Sequence, residues 1–209
     1  CNFEMLKDYW VSIVAPIVVV QNDIGLKQNS VKPSMPSLIE TFQQPAWHYA
    51  KFVGKQNKWG IAEICIRFGR AFLNEDNFQV VYYSGFRLPV GGTQNAEYTF
   101  NPVVGNNGHL ALVTGVNFQL ALGNCDSKYN PSLFANMENS YFAKNNQWRT
   151  LDIKDKPWSR YMLLNKKDGG PDQNIPAMNI LTQHVSCHPH NIFDGSAGFR
   201  AKRNGLEFE

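Results

Sequence analysis

The sequence contains no run of about 18 apolar residues, the length that a membrane-spanning helix requires. Helical membrane spans are therefore excluded. Lysine and arginine are scattered, and no basic run is longer than Lys166–Lys167 or Lys202–Arg203. With a formal net charge of only +3, the chain has no basic patch of the kind that nucleic acid attracts, so no nucleic-acid partner is expected.

The motifs of common enzymes and of phosphate sites are missing as well. No G-x-S-x-G, H-E-x-x-H or Gly-rich phosphate loop occurs, and we expect no cofactor. The segment His184–His190 includes Cys187, and imidazole and thiolate ligands suit zinc or copper. Only His184 and His188 have a usual ligand spacing, and Pro189 breaks any helix that would align them. We interpret the segment as a solvated loop at the start of a strand and predict no metal site.

The cysteines and the chain ends carry little information. Cys1, Cys65, Cys125 and Cys187 form no C-x-x-C pair, and their spacing selects no disulfide. Two interpretations of the cysteines stay open: a disulfide formed in an oxidising compartment, or four unpaired thiols. The first residues are not a signal peptide, and the last six look like a strand that is cut short. We therefore expect a mature chain or a fragment, with residues 1–209 forming one domain whose ends are truncated.

The chain does contain three long stretches that alternate between apolar and polar residues: Gly60–Phe72, Asn77–Leu88 and Gly108–Leu122. Successive side chains of a strand point to opposite faces, so each stretch has one apolar face and one polar face. Soluble strands usually run about 5–6 residues, whereas a membrane-spanning strand needs about 9–11. The length and the alternation predict an all-β fold, an antiparallel up-and-down β-barrel of the outer-membrane type, whole or in part. A soluble β-sandwich is the alternative.

The two faces supply the candidate site residues. The apolar face is predicted to meet lipid through Ile64, Ile66, Phe68, Val80, Tyr82, Leu112, Val116 and Phe118. The polar face is predicted to line a pore through Glu63, Arg67, Gln79, Arg87, Asn117 and Gln119. In a barrel, the opposite charges among them set a transverse field across the pore. The alternative is that they form structural salt bridges filling a narrow interior, and the two interpretations are compatible.

The rest of the chain is interpreted as weaker strands and connections. Five tryptophans are candidates for an interfacial aromatic girdle: Trp10, Trp47, Trp59, Trp148 and Trp158. The alternatives are the core of a soluble sandwich and a sugar-stacking platform in a lectin-like domain, and the long alternating strands favour the girdle. The remaining predicted elements are a strand at Tyr9–Val20 interrupted by Pro16, a helical turn at Ser37–Phe42, a short strand at Ala46–Val53, a tight turn at Asn74–Asn77, a long connection at Pro89–Asn107, a turn at Gly123–Ser132, and strands at Leu133–Trp148 and Phe193–Ala201. Short turns on one side and long loops on the other are typical of outer-membrane barrels.

Two segments carry a family resemblance. The first is the run G-I-A-E-I-C-I-R-F-G at Gly60–Gly69, followed by a hairpin and by F-R-L-P-V-G-G at Phe86–Gly92. It resembles bacterial outer-membrane β-barrel proteins of the porin and transporter-like type. The second is Gly195–Arg200, which is similar to a barrel strand with small residues facing a crowded lumen. The resemblance covers Trp59–Asn124 and implies a β-barrel in a bacterial outer membrane.

Three functions fit these predictions. The first is a passive channel for small polar solutes, with membrane lipid as the surrounding partner and a homo-oligomer as an option. The second is a soluble all-β binding module of the lectin-like sandwich kind. The third is a membrane-embedded barrel enzyme, for which His109 and Ser84 are the candidate residues.

Overall fold

The computed structural model describes residues 2–6, 9–25, 37–75, 77–123, 129–165, 167, 174–203 and 206–208. The predictions that concern Cys1 and Cys125 lie outside the described residues. The same is true of residue 76 in the predicted turn Asn74–Asn77 and of residues 124–128 in the predicted turn Gly123–Ser132.

The described residues form mainly strands, with two short α-helices and one 3-10 helix at Ser159–Tyr161. The strands and helices are β1 (Asn2–Leu6), β2 (Tyr9–Val14), β3 (Ile17–Asn22), α1 (Leu38–Phe42), β4 (Gln56–Ile61), β5 (Ile64–Asn74), β6 (Phe78–Leu88), β7 (Ala111–Ala121), β8 (Tyr129–Phe142), β9 (Asn145–Thr150), β10 (Leu163–Asn165), β11 (Asn174–Pro176), α2 (Ala177–Leu181), β12 (Thr182–Cys187), β13 (His190–Arg203) and β14 (Leu206–Phe208). No helix among the described residues is long and apolar enough to cross a membrane.

One antiparallel sheet dominates the molecule, with the strand order β1-β2-β5-β6-β7-β8-β13-β14. Three two-stranded sheets accompany it: β3 with β4, β9 with β12, and β10 with β11. The all-β antiparallel class predicted from the alternation is therefore confirmed. The described strands do not close into a barrel, because β1 and β14 lie at opposite ends of the large sheet and do not pair with each other.

The predicted strand Gly60–Phe72 is in fact two strands, β4 and β5, separated at Ala62 and Glu63. Pro16 separates β2 from β3 next to this break, and the Ala62 N–H donates to the Pro16 carbonyl at 2.9 Å. Proline lacks an N–H and cannot continue the ladder of hydrogen bonds. The breaks between β8 and β9 and between β12 and β13 lie at the same level, since Phe142 pairs with both Ala111 and His190.

The long connections all lie at this end of the large sheet, and we call their described residues within 15–63, 89–110 and 143–189 the cap. The cap holds the apolar cluster Trp47, Ala50 and Met178, with Phe42 and Tyr161 packed against it. The predicted helical turn is confirmed as α1, where Ser37 and Glu40 form a capping box. The predicted strand Ala46–Val53 is wrong: among the described residues, its only pairing is an isolated bridge between Lys51 and Tyr98. Trp47 and Ala50 enter the core from a turn, in which Ala50 has a φ of 50°.

Short turns lie at the opposite end. Glu75 and Phe78 exchange backbone hydrogen bonds of 2.9 and 3.3 Å, which confirms the predicted hairpin between β5 and β6. The predicted turn Gly123–Ser132 is too long, because β8 begins at Tyr129. The predicted strand Leu133–Trp148 is divided between β8 and β9 at Ala143 and Lys144.

Candidate functional site

The register of the large sheet determines which side chains share a face, because directly opposite residues of antiparallel strands point to the same side. Ile66, Phe86 and Leu112 lie opposite one another on three adjacent strands. Tyr82 lies opposite Val116, and Val80 lies opposite Phe118. We call this the outward face, and it carries all eight residues predicted to meet lipid: Ile64, Ile66, Phe68, Val80, Tyr82, Leu112, Val116 and Phe118.

The outward face is apolar and exposed. Phe68 is 52% exposed, Met137 63% and Phe193 76%. Leu112, Tyr141 and Leu133 on neighbouring strands are exposed as well. Contiguous exposed apolar surface is unusual on a water-soluble monomer.

The other face, which we call the inward face, is polar and more buried. On it lie five of the six residues predicted to line a pore: Arg67, Gln79, Arg87, Asn117 and Gln119. The sixth, Glu63, precedes β5, and its carboxylate reaches Arg87. Val113 is fully buried there, and Ser140 is 1% exposed.

The most structured part of the inward face is a charge cluster of Glu63, Arg67, Tyr83, Arg87 and Glu138. Arg67 Nη2 lies 3.0 Å from Glu138 Oε2, and Arg87 Nη1 lies 3.1 Å from Glu63 Oε1. Arg87 Nη2 donates to the other Glu138 oxygen. The Tyr83 hydroxyl donates to Glu138 Oε2 at 2.8 Å. The two positive charges of the arginines thus balance the two negative charges of the glutamates, and these four side chains are only 12–28% exposed.

The structure therefore brings three predicted residues together and leaves three apart. Glu63, Arg67 and Arg87 join the charge cluster. Gln79 and Gln119 lie opposite each other, farther along the inward face, and Asn117 lies opposite Asn136. These three side chains are uncharged amides and take no part in the ion pairs of the charge cluster. Gln79 Nε2 donates to Asn74 Oδ1 at 3.4 Å.

Sequence reasoning missed Tyr83 and Glu138. Glu138 is the only acidic residue of β8, and Tyr83 has the same parity as Arg87 in β6. The single acidic residue of this segment and the parity of Tyr83 can both be read from the sequence. They did not single out the residues, because the register between β6, β7 and β8 decides that the two side chains meet.

Three aromatic–glycine pairs lie on the inward face: Trp10 opposite Gly69, Tyr83 opposite Gly115 and Phe134 opposite Gly198. A Cβ on any of these glycines would lie less than 3.0 Å from the ring. The ring thus occupies the space that glycine leaves free, as aromatic residues do where sheets bend.

The predicted aromatic girdle is wrong for two of its five members. Trp10 points to the inward face over Gly69, and Trp47 is buried in the cap. Trp59 and Trp158 are exposed in the cap, and Trp148 stacks on Tyr49 there.

His109 and Ser84, the candidate enzyme residues, lie apart. Ser84 is on the outward face opposite Thr114. His109 is 5% exposed at the base of the cap; its Nδ1 donates to the Ala143 carbonyl at 2.8 Å, and its Nε2 accepts from Gln147 at 2.7 Å. Both His109 ring nitrogens are thus engaged in hydrogen bonds at the base of the cap.

The histidine-rich segment is not a loop, which corrects the prediction. His184 and Cys187 lie in β12, where His184 packs on Trp148, and His190 begins β13. The rings of His188 and His190 are 3.9 Å apart. Among the described residues, no group of three His, Cys, Asp or Glu side chains is placed to hold a metal ion. Cys65 and Cys187 are both unpaired.

No known protein family, curated protein or solved structure matches this chain. The features of the chain that bear on its function are the contrast between the two faces of the sheet and the cap at one end.

Proposed function

We propose that this chain is an outer-membrane β-barrel protein, whose outward face contacts lipid and whose inward face lines a passage for small polar solutes. The observation that carries the proposal is that the exposed face is apolar and the sheltered face is charged. In a water-soluble sheet the apolar face packs into a core and the charged face meets solvent. Here Glu138 is 12% exposed on the inward face, while Phe68 on the outward face is 52% exposed. That arrangement is typical of a sheet whose outer solvent is hydrocarbon.

Strand length and chain organisation support the same proposal. β5, β6 and β7 each have 11 residues, enough to cross a bilayer when tilted. The apolar cluster of Trp47, Ala50 and Met178 lies in the cap, away from the large sheet. A barrel embedded in lipid, with the cap at one of its openings, would explain why the apolar cluster lies in the cap and not on the large sheet.

Closure of the sheet is part of the proposal, because no open sheet edge is stable against lipid. The large sheet has eight strands, all paired antiparallel. An even number of alternating strands lets β1 and β14 meet antiparallel, as bacterial barrels do. The soluble-sandwich alternative requires instead a second sheet packed on the outward face.

A narrow passage follows from the side chains of the inward face. An eight-stranded barrel is almost filled by its own side chains. In such a barrel, the charge cluster would cross the interior. The connection 89–110 packs at the cap end of the sheet. There the Asn106 side chain donates to the Glu63 carboxylate, while Gly91 and Gly105 both lie against the Ala62 carbonyl. We propose that this connection narrows the passage so that only small solutes fit.

The proposal is tested by placing one arginine on each face. Val116→Arg puts a charge on the outward face, and we expect it to lower the free energy of unfolding by about 2–4 kcal/mol if Val116 lies near the bilayer midplane. The measurement is urea unfolding of the refolded protein in lipid vesicles. Fractionation of cells and the need for detergent are checked on the parent chain.

Asn117→Arg is the matched control, since it places the same side chain one residue farther on, on the inward face. We expect it to be much better tolerated than Val116→Arg. Equal destabilisation by the two substitutions, or a parent chain that stays soluble without detergent, would instead support the soluble sandwich.

A further inference from the structure

The cap contains a polar pocket that the passage does not use. Its volume is about 150 Å³, which suits a small molecule or ion rather than a large ligand. Seven of its nine lining residues have polar side chains: Gln94, Tyr98, Thr99, Arg149, Thr150, Arg160 and Tyr161. The pocket brings together a connection, a strand and the 3-10 helix, which come from distant parts of the chain.

Two arginines line this pocket, and they differ in whether an acidic side chain neutralises their charge. Arg160 is held by Asp152, with Nε 3.0 Å from Oδ1 and Nη2 2.7 Å from Oδ2, so its charge is neutralised. Arg149 donates from Nε and Nη2 to the amide oxygen of Gln147, at 3.0 and 2.6 Å. It has no ion pair with an acidic side chain within the described part of the chain.

The position of Arg149 is well determined by its neighbours. Gln147 is 1% exposed and is itself held by Asn107 at 2.8 Å and by His109. The bonds from Arg149 to Gln147 occupy the Nε–Nη2 edge of the guanidinium, and Nη1 has no hydrogen-bond acceptor among the described residues. A fixed guanidinium with donors to spare is the usual ligand for carboxylate and phosphate oxygens.

We propose that this pocket binds a small oxyanion, a carboxylate or a phosphate, through the Arg149 guanidinium, with the side-chain amide of Gln94 as a second donor. The binding needs only the cap and does not require the large sheet to lie in lipid. It adds a ligand site at one end of the molecule to the passive passage proposed above.

The test is isothermal titration calorimetry of the purified chain with inorganic phosphate and with acetate, at an ionic strength held constant with sodium chloride. We expect saturable binding of at least one of the two anions. Arg149→Gln should weaken it by about tenfold or more, the effect of losing a charged hydrogen-bond donor. Lys154→Gln is the matched control: it removes the same charge from an exposed cap residue outside the pocket and should leave the affinity unchanged.

A second variant covers the case in which Arg149→Gln fails to fold. Gln94→Leu leaves every charge and the Arg149–Gln147 contact in place, and we expect it to weaken binding several-fold while the thermal midpoint stays unchanged. Absence of saturable binding in the parent chain would overturn the proposal. So would equal weakening by Arg149→Gln and Lys154→Gln, or binding that survives both pocket substitutions.

Discussion

At the residue scale, the inward face depends on Glu138. This single carboxylate accepts hydrogen bonds from Arg67, Tyr83 and Arg87, which come from two different strands. Without it, Arg87 keeps only its ion pair with Glu63, and Arg67 loses the ion-pair partner that it has in this cluster. An unpaired charge in a sheltered position costs much more than the pair contributes.

We therefore expect Glu138→Gln to lower the free energy of unfolding by about 2–4 kcal/mol, less than the loss of a fully buried pair because both arginines keep some contact with solvent. Urea unfolding in one detergent measures it. Asp194→Asn is the control, since Asp194 lies directly opposite Glu138 on β13 but is exposed and has no ion pair with the described residues. Asp194→Asn should change the free energy of unfolding by no more than about 0.5 kcal/mol. If Glu138→Gln also changed it by so little, the charge cluster would not stabilise the inward face.

The ionisation of Asp152 makes the stability of the cap depend on pH. The two-point hydrogen bond from the Arg160 side chain lowers the pKa of the Asp152 carboxyl well below its usual value. A carboxyl whose pKa is lower in the folded state stabilises that state above its unfolded pKa, and the stabilisation is lost as the pH falls below that value. The cap should consequently become less stable as the pH falls below about 4.

The measurement is thermal unfolding followed by tryptophan fluorescence between about pH 6 and pH 3. Asp152→Asn should show a smaller loss of stability over this range than the parent chain does. Asp155→Asn, which alters an exposed neighbour in the same segment, should follow the parent. Parallel pH profiles for the parent and Asp152→Asn would show that the ion pair does not affect cap stability.

At the element scale, the aromatic–glycine pairs hold neighbouring strands of the large sheet together. Tyr83 covers Gly115 between β6 and β7, and its hydroxyl also reaches Glu138 on β8. One residue therefore links three strands. Displacing its ring disturbs both the packing of the inward face and the charge cluster.

We expect Gly115→Ala to lower the free energy of unfolding by about 1–3 kcal/mol, because the new methyl group would overlap the Tyr83 ring. Gly195→Ala is the control, since its Cβ would meet nothing nearer than a backbone oxygen at 3.9 Å. Urea unfolding of both variants decides the matter. If the two alanines have the same effect, backbone flexibility and not ring packing explains the glycines.

At the scale of the whole molecule, the proposed passage predicts ion selectivity. Arg67 and Arg87 sit among the side chains that permeating ions would pass, and Glu63 lies beside them. Charges that line a narrow pore favour counter-ions. The net selectivity of the passage should therefore change when these charges are removed.

Neutralising Arg67 and Arg87 with glutamine should shift the reversal potential in a salt gradient toward that of cations, and Glu63→Gln should shift it the other way. The measurement is single-channel recording in planar bilayers. Arg70→Gln is the control, because Arg70 lies opposite Tyr82 on the outward face and is exposed there. A parent chain that inserts without conducting would remove the channel from the proposal and leave a plugged barrel.

The class of the fold and the two faces of its central strands follow from the amino-acid pattern alone. Alternation is a local property with a period of two residues, so it needs no knowledge of distant contacts. For that reason β6, β7 and the hairpin turn before β6 were predicted close to their true positions. The same reasoning assigned Arg67 and Arg87 to one face and Ile66 and Val116 to the other.

Which side chains contact one another depends instead on how distant segments pack. Glu138 joins Arg87 across a separation of 51 residues, and Asn179 donates to Ala46 across 133. Such contacts depend on strand register and on how the long connections fold, and no local pattern records either. The cap was therefore misjudged: Ala46–Val53 is not a strand, and Trp47 is buried. Local periodicity decides which way a side chain points, whereas the packing of distant segments decides what it touches.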